Sequence, residues 1–348
     1  MLWWEVFVLV CVVTKAANAQ LSADWVQYES FLKLYDKKYV NDSTESTRRF
    51  EIFQESLRRH HHLNSYELHH NGAAKYGVTK FSDLTVDEFK SLYLSPARTP
   101  VRGKAVTSCD YKQGSVKNPP SQYDWRDKNV VTPVKNQGQC GSCWALAVVE
   151  TIESSWSIQS QTLLPLSSQQ VISCDYSPNQ SLDGCDGGSL SSAFATLQSR
   201  QNISAIVPES VYPFVSGDGQ TYPCRKDVPP AGVQLVQYNY CQPLENETNM
   251  QALLYTYSPL TVSVNAVSWQ DYIGGIIQHH CTNAAIDHAV QLVGYDLTGP
   301  LGYWIVRNTW GTDWGEDGYL RLLFGANTCG VDRRGSQLCD QNTIFFLD

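Results

Sequence analysis

A tract rich in proline and glycine, residues 95–120, constrains the fold of this chain more than any other feature. Such residues interrupt helices and strands, and here they are Pro96, Pro100, Gly103, Gly114, Pro119 and Pro120. The tract is therefore predicted to be a linker between two parts of the chain. With 348 residues, 42% of them apolar and 17% charged, the sequence is globular in composition and too long for one average domain.

The part before the linker is predicted to be helical. Large apolar residues recur there at the spacing of an amphipathic helix, at Trp25, Tyr28, Phe31, Leu32 and Tyr35. A second helix is predicted after the N-cap candidates of residues 41–44, with Phe50, Phe53 and Leu57 on its apolar side.

The part after the linker begins with a helix and continues with strands. A helical run is predicted from Cys143 to Gln159, and strand-like segments are predicted at residues 260–267, 289–295 and 302–308. A helical portion followed by a sheet portion is typical of the α+β class.

Several features place the chain in the secretory pathway. The apolar run from Val6 to Val13 and the small residues that end at Ala19 predict a signal peptide over residues 1–19, with a buried helix as the alternative. No later segment is long and apolar enough to span a membrane. Four sequons predict glycosylation at Asn41, Asn179, Asn202 and Asn246. The net charge of −8, without a basic run, gives no support for nucleic-acid binding.

The segment from Gln137 to Trp144 contains a candidate nucleophile. Cys143 follows two glycines and starts the predicted helix, where the partial positive charge of the helix N-terminus favours a thiolate. Far downstream, His288 begins a predicted strand and Asn308 ends another. A thiol, a base that takes its proton and an orienting amide together suit nucleophilic attack on an amide carbonyl.

With these motifs the chain resembles the papain and cathepsin family of cysteine peptidases over nearly its whole length. The resemblance implies a two-lobed α+β fold, with a helical left domain and a β-barrel-like right domain, preceded by a helical inhibitory prosegment. It implies that Cys143 is the nucleophile, His288 its partner and Asn308 the residue that orients the histidine. Gln137 would be the oxyanion donor, and Trp310 would shield the His288–Asn308 hydrogen bond. The segments 269–281 and 327–330 resemble one branch of the cathepsins in particular.

The cysteines test a rival interpretation, because Cys140 and Cys143 also form the C-x-x-C motif of thiol-disulfide oxidoreductases. Without Cys143, eight cysteines remain after the linker, an even number for four bridges. The resemblance implies the pairs Cys140–Cys185, Cys174–Cys224 and Cys281–Cys329. We predict a fourth bridge between Cys241 and Cys339, and a passive thiol at Cys109.

The resemblance also implies a substrate cleft. Gly187 and Gly188, otherwise a simple turn, would pair with extended substrate, and the neighbouring specificity pocket would be lined by Ser189, Leu190, Ser263 and Ala289. These side chains are uncharged, which predicts a preference for an apolar residue two positions before the cut. Trp310 and Trp314 are candidates for core packing, and Trp314 equally for a substrate contact after the cut.

The prosegment follows the family's helix motif in part. Glu45, Arg49, Phe53 and Asn64 match it, whereas Ser56 and His60 replace its Asn and Ile. Residues 76–83 resemble the following strand, and Ser95 onward is expected to run through the cleft against the substrate direction. Five prosegment histidines, at positions 60, 61, 62, 69 and 70, suggest loosening by charge repulsion in acid, with a merely solvated helix face as the alternative. His279 and His280 are expected to be solvated.

These inferences predict a secreted or lysosomal cysteine endopeptidase made as a precursor, with a signal peptide at 1–19, a propeptide at 20–118 and a peptidase domain at 119–348. Its partners would be polypeptide substrates, its own propeptide and cystatin-like inhibitors, and the mature protein would be a monomer. No metal or other cofactor is implied. The alternatives are a catalytically silent binding protein on the same scaffold and an intracellular amide transferase, of which the second conflicts with the signal peptide, sequons and bridges.

Overall fold

The computed structural model describes residues 20–67, 72–95, 118–175, 182–199, 203–229, 231–235, 239–241, 246–283, 285–332, 335–337 and 344–347. Its helices are α1 (20–34), α2 (Ser43–Glu67), α3 (Val86–Tyr93), α4 (Cys143–Ser160), α5 (Ser168–Cys174), α6 (Leu190–Ser199) and α7 (Glu247–Thr256). Its strands are β1 (Lys75–Tyr76), β2 (Gln122–Asp124), β3 (Gly232–Leu235), β4 (Asn239–Cys241), β5 (Leu260–Val264), β6 (Tyr272–Gly274), β7 (Ile276–Ile277), β8 (His288–Asp296), β9 (Tyr303–Arg307), β10 (Tyr319–Leu323), β11 (Gly335–Gln337) and β12 (Ile344–Leu347). Most of the predicted linker and the predicted signal peptide lie outside the described residues.

The prosegment forms its own small aromatic core between α1 and α2. Tyr28, Phe31, Phe50 and Phe53 are buried against one another, as the predicted amphipathic spacing requires. Past α2 the chain makes a two-residue strand, β1, which pairs antiparallel with β6 of the following part. The prosegment therefore has a core of its own and is also joined by backbone hydrogen bonds to the main domain.

A third prosegment helix, α3, was not predicted. It begins with a capping box, in which the Thr85 hydroxyl accepts from the Glu88 amide and the Glu88 carboxylate accepts from the Thr85 amide. Glu88 also pairs with Arg49 of α2 at 2.9 Å, so the motif residue Arg49 connects the two helices.

The left lobe is built around α4. Almost the whole of this helix is buried, and it packs with α5, α6 and the antiparallel pair of β3 and β12. The predicted helix and the predicted strands at β5, β8 and β9 are all present.

The right lobe is a twisted sheet in the order β4-β11-β5-β8-β9-β10-β7, with β2 added along β8. The strand β8 is buried along nearly its full length, because it has neighbours on both edges and covers the left lobe. This arrangement confirms the predicted two-lobed α+β fold and carries His288 to the boundary between the lobes.

Buried charges cross that boundary. The Arg307 guanidinium, fully buried at the end of β9, donates to Gln291, Thr132 and the Pro133 carbonyl and lies 3.4 Å from Glu150 of α4. Because an unpaired buried charge is strongly destabilising, this network holds the segment just before Asn308 against α4.

The described residues contain three disulfides, Cys140–Cys185, Cys174–Cys224 and Cys281–Cys329, and these are the pairs that the resemblance implies. The strand β11 pairs with β4 in a register that sets Gly335 opposite Cys241. The side chain of Cys241 and all of Cys109 and Cys339 lie outside the described residues, so the fourth bridge stays a prediction.

Candidate active site

Cys143 is the first residue of α4 and its thiol is buried. The loop before it is held tightly: the Gly141 amide donates to the Cys185 carbonyl at 2.8 Å, beside the Cys140–Cys185 bridge. A Cβ on Gly141 would lie 2.4 Å from that carbonyl oxygen, so only glycine fits there. The loop thus fixes where the helix starts and where the sulfur lies.

His288 and Asn308 are brought together by adjacent ends of β8 and β9. The His288 Nε2 atom lies 2.7 Å from the Asn308 Oδ1 atom. The same oxygen accepts from the Thr309 backbone amide at 2.8 Å, which fixes the orientation of the Asn308 amide group. An oxygen facing Nε2 requires a proton on Nε2 and leaves Nδ1 as the basic nitrogen.

Tryptophans surround this histidine. The Trp310 ring stacks on the His288 ring with centroids 4.9 Å apart, and Trp269 meets it edge-on at 6.1 Å. Trp314 packs edge-on against Trp310 at 4.8 Å and donates to the Trp269 carbonyl. The imidazole is therefore excluded from water on this side, while a substrate contact for Trp314 stays a prediction.

The prosegment occupies the site. The Gln137 Nε2 atom donates to the Tyr93 carbonyl at 3.0 Å, so the predicted oxyanion donor is bound to a prosegment oxygen. The Ser95 amide donates to the Asp287 carbonyl, and its hydroxyl donates to the Gly141 carbonyl. Residues 93–95 thus cross the cleft between the two lobes, beside Cys143 and His288.

Burial controls the protonation of the pair in this precursor. It raises the pKa of the Cys143 thiol to about 12, against the opposing effect of the Ala289 and Trp144 backbone amides. It also lowers the pKa of His288 to about 4, although the Asn308 hydrogen bond favours the charged ring. Both groups are therefore neutral while the prosegment covers them, and the thiolate form is suppressed.

The predicted substrate-binding residues lie around the same cleft. Gly187 has a φ of 108°, and a Cβ on Gly188 would lie 2.4 Å from the Trp144 ring, so this turn needs both glycines. Leu190 and Ala289 belong to the buried cluster that contains Cys143, Ser189 precedes α6, and Ser263 is opposite Ala289 in the β5–β8 register. Their roles in specificity stay predictions.

Two residues that influence the candidate site, Thr309 and Asp287, were not recognised in the sequence. The Thr309 hydroxyl donates to Gln137 Oε1 at 2.6 Å, so Thr309 connects the oxyanion donor to the Asn308 amide; its position next to Asn308 was the available signal. Asp287, beside His288, is half-buried, and partial burial raises the pKa of its carboxyl to about 6. Its charge opposes ionisation of Cys143.

Comparison with known proteins identifies the family to which this chain belongs. A model of the papain family of cysteine proteases matches residues 119–338, which is more than half of the chain. The chain belongs to the papain family of cysteine proteases. A model of the cathepsin propeptide inhibitor domain matches residues 28–89, which confirms the inhibitory prosegment of this papain-family chain.

Relatives of this papain-family protein share both parts. Human cathepsin O is 43% identical over 80% of this chain and 84% of its own length, which confirms the predicted resemblance of the chain to one branch of the cathepsins, that of cathepsin O. Cysteine proteinase 1 of Dictyostelium discoideum is 36% identical over 88% of this chain and 90% of its own. The digestive procathepsin L2 proteinase of Tenebrio molitor matches in structure with a TM-score of 0.79 at 30% identity, over 91% of this chain and 100% of that one.

The described residues contain neither a helix suited to span a membrane nor a group of side chains suited to bind a metal ion. None of the helices in these ranges is both long and apolar enough for a membrane span, and no group of three or more His, Cys, Asp or Glu side chains there is arranged to hold a metal ion.

Proposed function

We propose that this papain-family protease is an endopeptidase in which Cys143 attacks the substrate carbonyl and His288 transfers the proton. The observation that carries the proposal is the double hydrogen bond to Asn308 Oδ1, from His288 Nε2 and the Thr309 amide. It holds a neutral imidazole with Nδ1 basic and buried, with no hydrogen-bond partner in the described part of the chain. That nitrogen is suited to take the thiol proton.

The reaction then follows in two balanced steps. The Cys143 thiol loses its proton to His288 Nδ1, and the sulfur adds to the peptide carbonyl carbon. The resulting oxyanion accepts from Gln137 Nε2 and from the Cys143 backbone amide. His288 returns the proton to the leaving amine, the C–N bond breaks, and water hydrolyses the thioester by the same proton route.

Removal of the prosegment would complete this machinery. Loss of residues 93–95 frees Gln137 Nε2 from the Tyr93 carbonyl and lets water reach the cleft. Water favours the charged forms of both groups, and the N-terminus of α4 favours the thiolate. We place the propeptide at residues 20–118 and the peptidase domain at 119–348, so cleavage would fall shortly before β2.

The route through the cell and the substrate class are part of the proposal. The apolar segment that ends at Ala19 supports a signal peptide and a secreted or lysosomal destination. The sequon residues Asn41 and Asn246 are exposed, which suits glycosylation; Asn179 and Asn202 lie outside the described residues. The uncharged side chains Leu190, Ser263 and Ala289 support a preference for an apolar residue two positions before the cut. The proposal also includes inhibition by cystatin-like proteins and a monomeric mature enzyme.

The test uses peptides blocked at both ends and quenched internally, incubated with the acid-processed protein. An endopeptidase cleaves them, with the highest rates when an apolar residue lies two positions before the cut. The Cys143→Ser variant should fail to cleave, while Cys109→Ser should behave as the wild type once processed. No cleavage by the processed wild type would favour the silent scaffold, and equal activity of Cys143→Ser would exclude Cys143 as nucleophile.

A further inference from the structure

The two positions where α2 departs from the family motif meet at one buried ion cluster. Arg59 donates to the Asp271 carboxylate through Nε at 2.5 Å and through Nη2 at 2.8 Å. The Ser56 hydroxyl accepts from the same Nη2 atom at 3.0 Å, and His60 Nε2 lies 2.9 Å from Asp271 Oδ1. Ser56 and His60 replace the Asn and Ile of the motif, so both departures serve the contact with Asp271.

The cluster joins the prosegment to the catalytic domain. Asp271 ends the short helical turn before β6 and has a side-chain exposure of 2%, against 7% for His60 and 24% for Arg59. Every side-chain hydrogen bond given to this carboxylate in the described residues comes from α2. Its backbone carbonyl also accepts from a prosegment group, the Gly77 amide, at 2.9 Å.

The charges favour this pairing strongly. Burial by itself would raise the pKa of Asp271, but the hydrogen bonds and charges of Arg59 and His60 outweigh it and hold the pKa below its ordinary value. A buried carboxylate that loses such a donor keeps its desolvation penalty without compensation. An aliphatic side chain at position 60 would leave Oδ1 with one donor fewer.

We propose that Asp271 determines which prosegment this protease accepts, by recognising a guanidinium and an imidazole one residue apart on a helix. Its ligand in the precursor is the chain's own Arg59–His60 pair, and a prosegment with the family's isoleucine at position 60 would bind more weakly. The proposal rests on the proposed function only in that the prosegment closes the cleft.

Hydrogen exchange in full-length precursors that carry Cys143→Ala tests this directly. The Gly77 and Ser95 amides donate to carbonyls of Asp271 and Asp287, so their exchange reports release of the prosegment. We expect Asp271→Asn and His60→Ile each to speed this exchange by roughly 10- to 100-fold, the effect of one unsatisfied buried partner. In the double variant the acceleration of exchange should exceed that of the faster single variant by less than about threefold, because both substitutions remove the same contact.

The matched control is Asp313→Asn, which removes the exposed partner of Lys80 at the same boundary and should change the exchange by less than about threefold. Amides of β8 and β9 must keep wild-type exchange, which separates release of the prosegment from general unfolding. Wild-type exchange at Gly77 and Ser95 in both single variants, or fully multiplying effects in the double, would overturn the proposal. Because the chain under test is inactive by design, failure of the proposed peptidase activity would leave this result unaffected.

Discussion

Thr309 is the residue through which two parts of the candidate site depend on each other. Its amide fixes Asn308, and its hydroxyl fixes the Gln137 side chain by donating to Oε1, which directs Nε2 toward the cleft. A threonine hydroxyl in this place therefore orients Gln137, the proposed oxyanion donor, from outside the proposed substrate contacts.

Replacing Thr309 with valine should lower kcat of the processed enzyme by roughly tenfold. This factor corresponds to about 1.4 kcal/mol, the typical contribution of one hydrogen bond. KM should change little, because in the proposed mechanism Gln137 acts on the oxyanion and not on the bound substrate. Steady-state kinetics on one peptide checks this. Thr309→Ser keeps the hydroxyl and should stay near wild type, and equal losses in both variants would contradict the positioning role.

At this scale the residues proposed to carry the chemistry could be picked out from the sequence, because Cys143, His288 and Asn308 belong to recognisable local motifs. The hydrogen bonds that hold the side chains of the site in place could not be predicted. The bonds from Gln137 to Tyr93 and to Thr309 join residues that are 44 and 172 positions apart, and no local pattern encodes such a contact.

Several histidines lie where helix α2 contacts the segment just before Cys281. His279 and His280 were expected to be solvated, but both meet the Tyr66 ring edge-on, with centroids 5.3 and 5.2 Å away. The pKa of His280 is lowered by burial, then by His279 and by His62 of α2. Protonation of His280 is therefore disfavoured while the prosegment is bound.

This sets the direction of a pH effect. The pKa of His280 should return toward 6.5 when the prosegment leaves, so acid adds the proton preferentially to the released state. Binding of the prosegment then weakens as the pH falls through this pKa. His60 differs from His280 in its surroundings, because its ring lies 2.9 Å from the Asp271 carboxylate. The five prosegment histidines are thus not equivalent, and His69 and His70 lie outside the described residues.

We expect His280→Gln to lower the pH at which half of the precursor matures in a fixed time, because one acid-labile contact has been removed. The control is His61→Gln, an exposed position on α2, which should leave the threshold unchanged. Gel analysis of maturation across a pH series measures both. An unchanged threshold in His280→Gln would reject this contribution to acid activation.

Helices and strands with strong periodicity were predictable, whereas α3 was overlooked. Its eight residues are too short for a clear period, yet the Thr85 and Glu88 pair was a usable capping signal. The strand β1 could not be anticipated as paired, because its partner β6 lies about 200 residues away and the pairing is a tertiary contact.

For the whole molecule, the buried charges between the lobes make stability depend on pH. Burial raises the pKa of Glu150 to about 7, and Arg307 opposes this only in part. In the unfolded chain this carboxyl ionises near 4.5, so the unfolded state holds fewer protons between pH 4.5 and 7. The free energy of unfolding therefore falls as the pH rises through that range, by about 3 kcal/mol.

Glu150→Gln should remove this dependence. Both proteins are made as inactive Cys143→Ser precursors. The precursor that keeps Glu150 should lose more thermal stability between pH 5 and 7.5 than the precursor that carries Glu150→Gln. Arg307 keeps three other acceptors in the variant. Calorimetry at several pH values measures the two slopes, and identical slopes would contradict a protonated Glu150.

The predicted bridge between Cys241 and Cys339 concerns the architecture of the right lobe. The pairing of β11 with β4 brings residues 335–337, just before Cys339, beside the strand of Cys241, which supports the bridge. A non-reducing tryptic map should yield a peptide that links the two cysteines, and alkylation of either thiol in the unreduced protein would exclude it.

In the proposed mechanism Cys143 is a nucleophile that the prosegment keeps neutral and that becomes active when the prosegment is removed. The most direct test is alkylation with iodoacetamide at mildly acidic pH, on precursor and processed protein in parallel, followed by mass mapping and a peptide hydrolysis assay. We expect selective labelling of Cys143 in the processed protein with parallel loss of hydrolysis, and little labelling in the precursor. An unlabelled Cys143 in an active preparation, or full labelling without loss of hydrolysis, would contradict it.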